Sequence, residues 1–145
     1  MSLRNHFKTD QRLEQKGVEF DYGDAVITMA RAGGSNRSYK TALTKALRPY
    51  RASIDAETIR EEQLFPILVK PFVEHVILNW QTRNSKGELV AGIEGPDGVD
   101  SPTVPFNTEN AVKFLQEVPD LFYRLSGDAS SARAFLADLE TAAKN

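Results

Sequence analysis

Between Gly17 and Arg51 the hydrophobic period of the chain changes from two to about 3.6, and that change limits the folds open to it. Val18, Phe20 and Tyr22 alternate with Glu19 and Asp21, as in a half-buried strand. Gly23-Asp24 is a turn signal, and Val26 and Ile27 supply the return strand. A second break follows at Ala32-Gly33-Gly34-Ser35-Asn36, where Ser35 or Asn36 can cap a helix. From about residue 37 to 51 the pattern is helical. At 100° per residue, Tyr39, Ala42, Leu43, Ala46, Leu47 and Tyr50 fall on one side, and Arg37, Lys40, Lys45, Arg48 and Arg51 on the other. Pro49 removes a backbone donor and should kink or end this helix near Arg48. A hairpin running directly into an amphipathic helix indicates an α+β fold.

The remainder reads as mainly helical, so the expected class is α+β, mainly α-helical with a small N-terminal β-hairpin. Residues 1–16 are polar apart from Leu3, Phe7 and Leu13 and read as a weak helix or loosely ordered arm. Residues 17–145 read as a single domain. Within it, 55–80 looks helical at both ends, with Asp55 as a cap and apolar residues from Ile59 to Trp80 as core. Pro66 and Pro71 predict two pieces or a kinked rod. Residues 83–104, with four glycines and two prolines, read as a long flexible surface loop with room for a short hairpin around Lys86-Gly87. Asn107 can cap the next helix, with Phe106 stapled on Ala111. Pro119 suits the first turn of a short helix ending at Gly127, and Asp128 would open a last helix with Phe135, Leu136 and Leu139 facing inward.

At 145 residues the chain has the length of one domain and needs no staple. It has no cysteine, which excludes zinc fingers, iron–sulfur centres, thiol nucleophiles and a disulfide scaffold. No apolar run approaches the ~20 residues that span a bilayer, and MSLRNHFKTD lacks a signal-peptide core, so the chain reads as soluble and intracellular. Its net charge of −2 conceals an asymmetry. Residues 1–51 carry ten Lys/Arg against five Asp/Glu, and residues 52–145 carry eight against fifteen. A basic front and an acidic back suit self-association or an acidic partner.

The chain offers little to catalysis. His75 lies in an apolar run and reads as a packed or boundary residue, without metal-ligand spacing around it. Asp21 and Asp24 read as turn chemistry, Glu61-Glu62 as a solvated helix face, and Ser130-Ser131 has no base at a recognisable spacing. Gly33-Gly34 belongs to neither phosphate-loop pattern. No cofactor, metal site or enzyme activity is expected. The basic stripe Arg37, Lys40, Lys45, Arg48 and Arg51 is the candidate partner-binding surface. Nucleic acid is the weaker fit, because the sequence pI is about 5.7 and no nucleic-acid module is visible.

Four segments in order carry a resemblance: GVEFDYGDAVITMARAGGSNRSYKTAL with ALRPYR, then VEHVILNW at 73–80, PFNTENAVKFLQEVPDLF at 105–122, and FLADLETAAKN. Together they resemble the tail assembly chaperones of long-tailed, siphovirus-like bacteriophages and related prophages. Pro66 and Pro71 depart from the more continuous helix such a chain would have. The resemblance implies a non-enzymatic protein of the host bacterial cytoplasm, absent from the mature virion. It would bind the tape measure protein, keep it soluble and recruit tail tube protein, with a homo-oligomer allowed for. It also implies a −1 ribosomal slip. Ala143-Lys144-Asn145 is compatible with a slippery A AAA AAY run, although other codons encode the same residues. The alternatives are a virion component such as a head–tail joining protein and, further off, a small nucleic-acid-binding regulator.

Overall fold

The computed structural model describes residues 2–137. Leu139 of the expected last helix and the Ala143–Asn145 codon question lie outside that range. The α+β class holds, but the hairpin is only half of the β structure. β1 (Val18–Asp21), β2 (Ala25–Met29), β3 (Ile77–Arg83) and β4 (Leu89–Ala91) form one antiparallel sheet in the order β1-β2-β3-β4. Phe20 lies opposite Ile27, and Ile27 opposite Trp80, so one row of large side chains crosses the sheet. That face meets the helices, whereas Glu19, Thr28, Asn79 and Gln81 occupy the other.

The helical reading of 55–80 therefore needs correction at its C-terminal end. Ile77 to Trp80 are strand, because β2 requires a partner and Val76, Ile77 and Trp80 bury fully when paired there. The register slips between Thr28 and Met29, which leaves Leu78 exposed. The N-terminal end is corrected too. Asp55 closes a short helix, α4 (Arg51–Asp55), instead of opening the next one. α5 (Glu61–His75) starts after Arg60, whose backbone N–H donates to the Gln63 side chain. α5 is one continuous helix through both prolines, not two pieces. Each proline removes one i→i−4 donor, but Val69, Pro71, Phe72 and Val73 are buried in the core, and this packing outweighs the two lost bonds.

Residues 2–16 carry two short helices, α1 (Leu3–Phe7) and α2 (Gln11–Lys16), capped by Ser2 and Asp10. Leu3 and Phe7 are exposed, but Glu14 is 2% exposed. α3 (Arg37–Leu47) is capped by Asn36 and gives way to a 3₁₀ turn at Arg48–Tyr50, as Pro49 dictates. The 83–104 stretch contains β4 and the expected hairpin turn, in which Asn84 Oδ1 accepts from the Lys86 and Glu88 N–H groups. Its Ile93 is buried and bridges to Val104. α6 (Thr108–Glu117) is capped by Asn107, and α7 (Pro119–Ser130) begins at Pro119 as expected. α7 does not stop at Gly127, nor does Asp128 open a new helix. The helix continues to Ser130, since Leu125 and Ala129, one turn apart, are both buried, and a 3₁₀ turn follows at Ala132–Phe135.

The core lies between the sheet and α3, α5, α6 and α7. Phe72 of α5 meets Tyr39 of α3 and Phe122 of α7 edge-on, and Trp80 meets Phe114 of α6 in the same way. Tyr22, which ends the β1 alternation, donates its hydroxyl to Asp128 at 2.8 Å and holds the hairpin to α7. Burial first, then that carboxylate, pushes the Tyr22 phenol well up.

Candidate interaction surface

The basic stripe spans three elements. Arg37, Lys40 and Lys45 lie on α3, Arg48 is in the 3₁₀ turn, and Arg51 opens α4. All five are exposed, and none forms an ion pair among the described residues. Lys40 Nζ donates to the Gly34 carbonyl at 2.8 Å. The apolar side behaves as expected up to Leu47, with Tyr39 buried and Ala42, Leu43 and Ala46 partly covered. Tyr50 does not follow: the 3₁₀ turn rotates it out and leaves it 42% exposed.

Asn36 orients the stripe. Its Oδ1 accepts from the Tyr39 N–H at 3.3 Å, and its Nδ2 donates to the carbonyls of Arg31 at 2.9 Å and His75 at 3.0 Å. One buried side chain thus ties the start of α3 to the end of α5. The two helices lie antiparallel, and the backbone of α3 that carries Arg37, Lys40 and Lys45 is anchored against α5. His75 is the half-buried boundary residue expected of it.

A sixth cation, Arg31, is turned inward. Its guanidinium pairs with buried Glu14, which also accepts from the Ser35 hydroxyl at 2.9 Å. Arg31 Nε is buried without a hydrogen-bond partner. Burial pushes the Glu14 carboxyl up, but hydrogen bonds from Arg31 and Ser35 and the guanidinium charge outweigh it and hold it below the usual value. Gly34, at φ +52°, passes so close that a side chain there would meet the Glu14 carboxylate and Arg31. Glu14 was not distinguishable in the sequence: it sits in a polar stretch, and its partners are 17 and 21 residues away.

At the opposite end of α3, where α5 begins and α6 gives way to α7, the surface is acidic. Glu61, Glu62, Glu117 and Asp120 are all exposed. Glu61 and Glu62 line a shallow groove walled by Phe65, Pro66, Gln116, Pro119 and Tyr123, and Glu117 and Asp120 adjoin Gln116 and Pro119 in the chain. Tyr123 donates to Glu61 at 3.3 Å, and partial burial followed by the Glu61 and Asp120 charges raises its phenol. Val118 and Tyr123 are 42% and 47% exposed.

The other polar residues singled out from sequence have local duties. Asp21 accepts from the Gly23 N–H at 2.9 Å and pairs with Arg83 at 2.9 Å, which is turn chemistry. Ser130 donates back to the Ser126 carbonyl at 2.7 Å within α7. Trp80 is core. Among the described residues, no three His, Asp or Glu side chains are grouped to hold a metal ion, and no helix is long and apolar enough to cross a membrane.

Fold and surface together define a small α+β protein in which four antiparallel strands back a helical layer that carries a basic stripe and an acidic-edged groove. The sequence profile of the YdaY prophage protein family matches residues 34–145, from the glycine loop before α3 onward, and the chain belongs to that family. It is thus a phage-associated protein. No curated protein and no solved structure matches it.

Proposed function

We propose that this prophage protein is a non-enzymatic tail assembly chaperone. It covers the tape measure protein in the host cytoplasm, helps recruit tail tube protein, and is left out of the finished particle. The observation that carries this reading is the stripe Arg37, Lys40, Lys45, Arg48 and Arg51, five exposed cations within fifteen residues that form no ion pair among the described residues. Prophage family membership and the order of the four resembling segments support it. A long apolar helix aggregates when bare. Many small subunits can cover it, each holding weakly through mixed apolar and charged contacts, and release it as tube protein polymerises.

The test is co-expression with a tape measure fragment. The chaperone reading expects a soluble complex; a fragment that stays insoluble and never co-purifies sinks it. Reversing Arg37, Lys40 and Arg48 to Glu is expected to weaken the complex while leaving the circular dichroism spectrum unchanged. Reading the nucleotides for Ala143 to Asn145 and the −1 frame beyond them tests the slip separately.

A further inference from the structure

We infer that the end of the helical layer where α4 leads into α5 and α6 into α7 is a docking surface for a second copy of this chain, the basic ridge of each copy seating on the acidic rim of the other. The ridge is Lys45, Arg48 and Arg51 with Tyr50 between them, all exposed. The rim is Glu61 and Glu62 on the shallow aromatic and proline-walled groove, with the exposed Glu117 and Asp120 next to its Gln116 and Pro119. No ridge cation is paired with a rim carboxylate inside the chain, so both sets of charge are available.

The two surfaces share one end of the molecule. α3 and α5 lie antiparallel, since Asn36 before α3 holds the His75 carbonyl at the end of α5. The chain between α4 and α5 is drawn into a compact turn by bonds from the Ala56, Thr58 and Ile59 N–H groups to the Ala52 and Ser53 carbonyls. Tyr123 then ties the start of α7 to Glu61. An acidic partner would satisfy the ridge and leave the rim bare, and a basic partner would do the reverse. A second copy rotated by two-fold symmetry satisfies both and makes the same contact twice in one closed dimer. Tyr50 and Tyr123 provide the exposed aromatic anchors that such a contact needs at its centre. This inference stands whether or not the tape measure protein is the cargo.

Sedimentation velocity on the full chain, across concentration and salt, tests it. A dimer that weakens as salt rises is expected. Arg48→Glu with Arg51→Glu, and separately Glu62→Arg with Glu117→Arg, should each raise the dimer Kd about tenfold or more with an unchanged circular dichroism spectrum. Mixing the two variants should restore a heterodimer, and combining all four changes in one chain should restore a homodimer, because every pair again meets opposite charge. A chain that stays monomeric at about 1 mM and low salt overturns the inference. So does a dimer indifferent to the reversals, a failure of both rescues, or open-ended growth with concentration.

Discussion

Arg31 and Arg37 are six positions apart, on either side of one glycine loop, and they serve opposite ends. Arg31 is half-buried against the fully buried Glu14 carboxylate and holds the N-terminal arm to the loop. Arg37 begins a row of exposed cations that form no ion pair among the described residues, Lys40 alone reaching a backbone carbonyl. The comparison shows that a chain's formal charge is not one resource. A buried charge is committed to the fold, because removing its partner strands it in a poorly solvated site. An exposed charge contributes almost nothing to the fold and is free for recognition.

The largest effect that breaks this contrast should come from Glu14→Ala, which leaves the half-buried Arg31 guanidinium without its counter-ion. A loss of roughly 3 kcal/mol is expected in urea unfolding. Glu14→Leu combined with Arg31→Met should recover most of it, since a buried pair replaced by well-packed apolar groups is often neutral. Gly34→Ala comes next, at about 1–2 kcal/mol, because it combines a positive φ with a collision against that same pair. Acid probes the pair without mutation. Glu14 titrates below its ordinary 4.5 in the folded chain, so its stabilisation is complete above that pH and is lost as pH falls through the depressed folded value. Thermal unfolding should show that loss in the parent chain, and Glu14→Gln should lack this component. The smallest effect belongs to the stripe: Arg37→Ala or Arg48→Ala should change stability by less than about 0.5 kcal/mol in the same urea assay. A large loss there would erase the distinction between committed and free charge.

What was legible in the sequence was whatever depends on near neighbours. The β1 alternation, the Asn36 and Asn107 caps, the 3₁₀ turn at Pro49 and the start of α7 at Pro119 each follow from a few adjacent residues. The direction of the stripe was legible for the same reason, being a helical periodicity. β3 was not. VEHVILNW is rich in apolar residues and has no Gly or Pro between the helix and the strand, and its state is decided by pairing with β2 some fifty residues earlier. α5 was misread in the other direction, since two prolines argue locally for a break and only the buried Val69–Val73 stretch shows why the helix persists. The acidic rim was legible in part. Glu61-Glu62 is a solvated face as its sequence implies, but only the fold brings it to Gln116, Pro119 and Tyr123.

Thr9 bridges to Leu136, and around that bridge the Asp10 N–H donates to the Phe135 carbonyl and the Ala137 N–H to the Lys8 carbonyl. These contacts join positions more than a hundred residues apart, whereas Glu14 meets Arg31 and Ser35 only 17 and 21 residues along the chain. The arm is therefore fastened twice, once by a contact that closes a short loop and once by one that closes nearly the whole chain, and the long closure should be the later of the two to form in refolding.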